Sequence, residues 1–350
     1  MLRILFFSRS TLYTQPGGDT VQITETAKHL KQLGTEVDIK LSGDHVNPSD
    51  YDVVHFFNLS RPQDILKLLP GIKKLVVTSI YIDYRIPKSA HAGRTQKWLY
   101  RMFGGHGVEY VKIMARWLKG NETSPGRRYI WRGQKDSIQQ VLRKADHIIV
   151  ASGFERYKLM HDFGKLPVVH KINLGTEHLS KETSKHERKG VLCVARFEAL
   201  KNQLGLIQAQ KKSGFPLTFV GQSATNQSEY YKLCREMAST EVQFKSYTPQ
   251  NELPGLYAGA RVHALCSFYE TTGLSTLEAL KNGCQVVVSK NSAPEEIFAG
   301  HAHICDPADV DSITKAVQSA LQCNEDHSKW VTENFSWEKA AHELLKIYAS

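Results

Sequence analysis

Twelve short, continuous apolar runs, set between stretches of helical period, constrain this 350-residue chain more than any other feature. In the first half they are Leu2–Phe7, Val37–Leu41, Val53–Phe57, Leu75–Ile82, His147–Ala151 and Val168–Ile172. In the second half they are Gly190–Ala195, Leu217–Val220, Val242–Tyr247, Val262–Cys266, Gln285–Ser289 and His301–Cys305. Runs with little polar alternation suit strands buried on both faces, as in parallel sheets covered by helices. Two such series, separated by the polar stretch Thr176–Lys189, predict an α/β architecture of two doubly wound domains joined by a linker. The length agrees, since a chain of this size divides into two domains of about 150–200 residues.

Several classes are disfavoured. No apolar run approaches the about 18 residues of a spanning helix. The opening MLRILFFSRS is too short in its apolar part for a signal peptide and suits a first buried strand. Cys193, Cys234, Cys266, Cys284, Cys305 and Cys323 form no CxxC pair and mostly sit in apolar runs. They read as buried thiols in a reducing, cytoplasmic compartment rather than as a zinc or disulfide framework.

The net charge of +10 is concentrated in one segment. Residues 85–135 hold 12 Lys and Arg against Glu109 and Glu122, while the remainder balances 33 basic with 33 acidic side chains. Trp98, Trp117 and Trp131, three of the five tryptophans, lie in the same segment. Within it, Val108–Lys119 places Tyr110, Val111, Met114, Trp117 and Leu118 on one helical face and Glu109, Lys112, Arg116 and Lys119 toward the other. Two readings stand: helices packed on the N-terminal core with a solvated basic side, or an interfacial surface for anionic headgroups or a lipid-pyrophosphate acceptor. Arg94, Lys97, Arg101, Lys112 and Arg116 are the candidate contacts of such a surface. Nucleic acid is not expected, because no recognised nucleic-acid module accompanies the charge.

Ligands of open parallel sheets bind beyond the carboxyl ends of the strands, and with two such domains the cleft between them is the expected site. After the first run comes Pro16-Gly17-Gly18-Asp19 and a helical pattern ending at Gly34. The glycines allow close backbone approach, and the helix N-terminus offers N–H groups to an anion. Equally, the segment reads as a tight turn with Asp19 as N-cap. After Gly190–Ala195, Arg196 and Lys201 precede another helix. Two cations there suit a diphosphate, with arginine bonding in two prongs and lysine acting as a point charge, unless they are a solvated surface pair.

After Val262–Cys266 comes FYETTGLSTLEAL, with Glu270 and Glu278. On one continuous helix these carboxyls would lie about 12 Å apart. Glycoside hydrolysis needs roughly 5–9.5 Å, so a hydrolytic pair fits poorly. Glu270 is therefore expected in the strand-to-helix loop, with the helix starting near Gly273–Ser275. Ser275 and Glu278 then match a capping box, a purely structural role for Glu278.

The order of these features resembles glycosyltransferase family 4, the retaining nucleotide-sugar transferases of GT-B fold. The resemblance is carried by Pro16-Gly17-Gly18, LGTEVDI, Asp52-Val53-Val54-His55, VARFEALKNQ, TFVGQ, YTPQNELPGLYAGA and SFYETTGLSTLEALKNGCQVVVS, and is weakest over about residues 85–145. It implies two Rossmann-like doubly wound parallel-sheet domains facing a central cleft. Residues 1–175 would bind the acceptor, residues 190–330 the donor, and residues 331–350 would form a C-terminal helix packing back on the N-terminal domain. Arg196 and Lys201 would hold the donor diphosphate, and Glu270 the donor sugar, near the N–H groups of Gly273 and Leu274. Glu278 would bind the ribose, Gly221 and Tyr247 would lie on the donor side, and Gly17 and Gly18 would face the phosphates.

The resemblance implies a UDP- or GDP-linked sugar as substrate, no cofactor and no metal. The acceptor would be a saccharide or lipid-linked saccharide in cell-surface polysaccharide or glycan biosynthesis. The location would be cytoplasmic and peripheral to the inner membrane face. Two departures matter. The histidine often found after the fourth strand is absent from Thr78-Ser79-Ile80-Tyr81-Ile82-Asp83, where Asp83 is the nearest substitute, and His55 reads as a structural strand-end residue. The usual Asn-Gly-Val-Asp turn reads Leu174-Gly175-Thr176-Glu177. A catalytically weak nucleotide-sugar-binding partner subunit and a GT-B-fold epimerase are the alternatives.

Overall fold

The structure is a computed structural model that describes residues 1–82, 94–120, 124–176, 188–224 and 227–350, and the backbone alone of residues 94–103. Asp83 and most of Thr176–Lys189 lie outside the described residues. Each of the twelve apolar runs contains a strand. β1 (Arg3–Ser8), β2 (Glu36–Leu41), β3 (Val53–Phe57), β4 (Leu75–Thr78), β5 (His147–Val150) and β6 (Val168–Lys171) form one sheet, ordered β2-β1-β3-β4-β5-β6. β7 (Val191–Val194), β8 (Leu217–Val220), β9 (Val242–Lys245), β10 (Val262–Leu265), β11 (Gln285–Ser289) and β12 (His303–Cys305) form a second, ordered β12-β11-β10-β7-β8-β9. All pairings in both sheets are parallel.

Helices α1 (Gly18–Gln32), α2 (Arg94–Leu118), α3 (Gly126–Lys144) and α4 (Gly153–Phe163) accompany the first sheet. α5 (Gln203–Ser213), α6 (Ser228–Met237), α7 (Leu253–Gly259), α8 (Leu274–Lys281), α9 (Ala293–Ile297), α10 (Val310–Gln322) and α11 (Ser328–Asn334) accompany the second. The last helix, α12 (Trp337–Ala349), packs on α1. The described residues 1–82, 94–175 and 337–350 form one compact unit, and 176 with 188–336 the other.

Burial on both faces explains why the strands lack alternation. In the first unit Leu5, Phe7, Val54 and Phe56 pack with Tyr129, Ile138 and Val141 of α3. Their neighbours Ile4, Phe6, Val53 and Phe57 turn to the opposite face and pack with Ile23, Ala27 and Leu30 of α1 and with Ala341 and Leu344 of α12. Successive residues of one strand thus enter different cores, as a period of two requires. The four edge strands β2, β6, β9 and β12 are partly exposed, as strands with a neighbour on one side only are.

The strand expected over Leu75–Ile82 stops at Thr78. Ile80 has φ +38°, which no strand residue adopts, and the buried Glu155 carboxylate gathers the donors of this turn. It accepts from Ser79 Oγ at 2.5 Å, Tyr81 N at 2.9 Å and Ala151 N at 2.9 Å. Burial pushes its pKa up, against those three hydrogen bonds.

His55 is fully buried, as a structural role requires, but it stands in the middle of β3 and not at a strand end. Nδ1 meets the Tyr348 hydroxyl at 2.5 Å and Nε2 the Thr78 hydroxyl at 2.7 Å, while Phe57 stacks on the ring. Burial lowers its pKa to about 3, so the folded ring stays neutral where the unfolded one, near 6.5, takes a proton. Between these values the unfolded state binds one proton more, and stability falls as pH falls through that window. His55→Phe is expected to lose this contribution, giving a urea-derived stability less steep in pH than the parent by about 1.4 kcal/mol per pH unit. Equal slopes for the two proteins between pH 6 and 4 would show that His55 does not link folding to acid.

The helical face expected in Val108–Lys119 is corrected. α2 is interrupted at Gly104 (φ 63°, ψ 179°), and beyond it Val108, Glu109 and Ile113 face inward while Val111, Ala115 and Leu118 are exposed. Glu109 tolerates burial because Lys112 reaches its carboxylate at 2.6 Å and Arg116 at 3.8 Å.

Candidate active site

The second sheet reverses its strand order between β7 and β10, since β8 and β9 extend one way from β7 and β10, β11 and β12 the other. Loops leaving such a pair diverge and open a crevice at the carboxyl ends. Arg196 and Lys201 stand in the loop after β7, and Glu270 and Gly273 in the loop after β10. The two loops are tied by Phe268 N–H donating to Leu200 O at 2.8 Å.

Lys201 Nζ forms a direct ion pair with Glu270 Oε2, both side chains being largely shielded from solvent. Burial alone would pull the Lys201 pKa down, but the Glu270 and Glu198 carboxylates outweigh it and hold the pKa above the ordinary lysine value. The ammonium is therefore charged at neutral pH. Arg196 is more exposed and pairs loosely with Glu198 at 3.6 Å. Ser267 Oγ, Thr276 Oγ1 and Gln203 Oε1, buried on the same two connections, have no hydrogen-bond partner among the described residues.

Two residues fix this geometry. Asn202, in the left-handed conformation (φ 56°, ψ 37°), donates through Nδ2 to Cys266 O at 3.2 Å and Pro307 O at 2.8 Å, which pins the β7 loop to the β10 loop. Gly221, after β8, has φ +148°, and a Cβ there would stand 2.2 Å from the Ala195 carbonyl oxygen. The backbone leading into Arg196 therefore lies where only glycine leaves room.

Helix α8 begins at Leu274, capped by Gly273 at φ 77°, so Glu270 lies in the loop before it. Ser275 is inside the helix, and the capping box expected of Ser275 and Glu278 does not form. Glu278 instead turns away from its helix: Gln250 Nε2 donates to Oε1, and Tyr257 OH donates to Oε2 at 3.0 Å. Burial raises the Glu278 pKa to about 7, against the lowering effect of those two bonds. In the first turn of α8 the N–H groups of Thr276 and Leu277 donate to Gly273 O at 2.9 and 3.1 Å, while those of Leu274 and Ser275 precede any intrahelical acceptor and lie at the end of the Glu270 loop.

The remaining candidates are dispersed. Tyr247 is 54 % exposed in the loop after β9. In the first unit Gly17 is the N-cap of α1 and Gly18 its first residue. Asp19 is not the cap: Arg9 grips its carboxylate through Nε at 2.6 Å and Nη2 at 3.0 Å and also reaches Thr11 O and Gln15 O, both at 2.8 Å. Arg94, Lys97 and Arg101 lie on α2, with side chains outside the described residues, and Lys112 and Arg116 are engaged with Glu109. Sequence reasoning missed Glu198, Asn202, Gln250, Tyr257 and Arg9. Asn202 had a usable signal, standing just before a helical pattern. Gln250 and Tyr257 lie within the quoted YTPQNELPGLYAGA, but only the fold brings them to Glu278. Among the described residues no cluster of three His, Cys, Asp or Glu side chains could hold a metal ion.

Comparison with known proteins bears on the fold and the family. The family model for glycosyl transferases group 1 matches residues 176–337. The O-antigen chain mannosyltransferase B of Escherichia coli is 30 % identical over 173 residues, 45 % of this chain and 45 % of that protein, so the chain spans under half the length of that relative. Among solved structures, a sucrose-phosphate synthase from Thermosynechococcus elongatus superposes with a TM-score of 0.76 at 16 % identity, covering 100 % of this chain and 98 % of that one. Anabaena HepE in complex with UDP and glucose gives 0.72 at 13 % identity, with 100 % of both chains covered. Residues 176–337 thus match the model of the glycosyl transferases group 1 family, in a chain whose two doubly wound parallel sheets share the GT-B fold of these solved structures.

Proposed function

We propose that the chain is a retaining glycosyltransferase, moving a hexosyl group from a UDP- or GDP-linked donor to a saccharide or lipid-linked saccharide acceptor in polysaccharide or glycan biosynthesis. The observation that carries the reading is the Lys201–Glu270 pair at the switch point of the second sheet, beside Arg196 and the N-terminus of α8. The UDP and glucose bound by Anabaena HepE and the mannosyl transfer named for the Escherichia coli relative support a nucleotide donor and a hexose.

In this reading the bond between the anomeric carbon and the diphosphate oxygen breaks, and its electron pair goes to the diphosphate. Lys201 and Arg196 stand where that charge develops, and fixed cations and dipoles so aimed are usually the largest catalytic contribution. Glu270 accepts hydrogen bonds from donor-sugar hydroxyls, with the Gly273 and Leu274 N–H groups beside it. Glu278 accepts from the ribose hydroxyls, held in place by Gln250 and Tyr257. No cofactor is required, because the cations on the chain serve the leaving group.

A carboxylate accepts hydroxyls better than a neutral acid does, so donor affinity should depend on the Glu278 proton. With its pKa at about 7, the carboxyl is neutral below and charged above. The donor KM is expected to rise on going below pH 7 and to lose most of that dependence in Glu278→Gln. A KM profile identical in the variant removes Glu278 from the ribose.

The direct test is a thermal-shift screen against UDP- and GDP-sugars, followed by nucleotide release with saccharide acceptors. A ligand that binds only the folded state raises stability by RT ln(1 + [L]/Kd), so the true donor declares itself. A protein stabilised by no nucleotide sugar is not this transferase. The absence of histidine from Thr78–Ile82 favours one second reading, a binding subunit acting with an active partner. Donor binding without nucleotide release on any acceptor supports that instead.

A further inference from the structure

The basic segment has a face that the proposed reaction does not use. Beyond its break at Gly104, α2 exposes Val111, Ala115 and Leu118, spaced four and three residues apart, with Leu118 76 % exposed. Beside this stripe run Lys112, Arg116 and Lys119. On α3, before its own break at Gly133, the exposed residues are Arg127, Arg128, Trp131 and Arg132, within two turns of helix, so that the 87 % exposed Trp131 has arginines four and three residues before it and one after. The opposite side of that stretch buries Tyr129.

The two helices form one unit. Tyr110 OH donates to Ile130 O at 2.9 Å, and its ring stacks on Tyr129 at 5.5 Å. Among the described residues Arg127, Arg128, Arg132 and Lys135 pair with no acid, while Lys112 and Arg116 share Glu109.

We infer that this α2–α3 hairpin is a docking surface for an anionic phospholipid bilayer. Three features select that occupant. The positive charge is local, since the rest of the chain is balanced at 33 basic and 33 acidic residues. The cations flank the exposed aliphatic side chains of Val111 and Leu118, which a polyanion's charged backbone does not engage and which acyl chains accept. A tryptophan flanked by arginines also suits the headgroup level, where an apolar body and a polar edge are both satisfied. No helix among the described residues is long and apolar enough to cross a membrane, so attachment of this kind lies on the bilayer rather than through it. The assignment is independent of the reaction proposed above.

Vesicle flotation of the whole chain tests it. Vesicles of phosphatidylcholine with about 30 mol % phosphatidylglycerol should bind it at least tenfold more tightly than phosphatidylcholine alone, with the gain shrinking as salt rises. The variant R127E/R128E/R132E should lose about 50-fold or more on the anionic vesicles, since each cation near such a surface contributes about fivefold. W131A/L118S should lose roughly tenfold with all charges retained. In the unaltered chain, brominated lipid should quench a fluorescence component that is absent from Trp131→Phe, a readout that needs no folded charge variant. Equal binding to neutral and anionic vesicles overturns the inference. So does undiminished anionic binding by W131A/L118S, which identifies a surface that reads charge alone. Thermal melts of each variant separate lost docking from lost folding.

Discussion

Lys201→Ala is expected to slow nucleotide release from the donor by about 10²–10³-fold, the scale of removing one fixed donor from a developing negative charge. The loss should appear in kcat more than in KM, because the charge on the diphosphate grows as the bond breaks. Glu270→Ala should also lose activity, but the two changes should not add. In the structure each group is the other's partner, so removing lysine also leaves a shielded carboxylate without its counter-charge. A double-mutant cycle should therefore show a pair less impaired than the product of the single effects. Full additivity, or a Lys201→Ala enzyme within tenfold of the parent, would place the chemistry elsewhere. The pairing also sets what the donor must do on arrival. On the proposed reading its diphosphate would have to compete with Glu270 for the ammonium, which would free the carboxylate for sugar hydroxyls.

The second large effect is structural. Gly221→Ala puts a methyl 2.2 Å from the Ala195 carbonyl at a φ of +148°, and the obstacle is backbone that cannot rotate aside. The β7 loop must move, or the end of β8 must. Strain of this kind, with the loss of the Gly221 N–H bond to Lys245 O, is expected to cost about 3 kcal/mol or more. Urea unfolding should show it, and activity should fall even in the fraction that folds, because Ala195 leads directly into Arg196. Gly214→Ala is the control: φ is +72° there, but nothing lies within 4 Å of the added carbon. A Gly221→Ala protein no less stable than that control would mean that the close approach is not required.

The strands were legible because burial on both faces leaves an uninterrupted apolar run, and every such run contains a strand. Boundaries failed where a side chain from far along the sequence set them, as Glu155 does after β4. Periodicity misassigned the α2 face because it scores Val111 and Leu118 as core and Glu109 as surface. It has no means of knowing that Lys112 and Arg116 make Glu109 burial tolerable. In the site, Arg196, Lys201 and Glu270 follow strands that the sheet order makes adjacent, so strand-end reasoning reached them. The partners of Glu278 lie 28 and 21 residues away on another connection, and no local pattern announces them. Its capping-box spacing was real in sequence and unused in structure, because Gly273 had already started the helix.

The placement of α12 has a consequence for how the chain is made. The first unit surrounds the second in sequence, so the face built by Ile4, Phe6, Ile23 and Leu30 waits for Ala341 and Leu344, and His55 waits for the Tyr348 hydroxyl. On the ribosome the first sheet emerges early yet stays open on one side while some 160 residues of the second unit are synthesised. The described residues of the second unit all follow one another between 176 and 336, so its core can close first. The order of maturation is then the reverse of the order of synthesis, and a nascent chain halted before α12 would expose an apolar face that chaperones can hold.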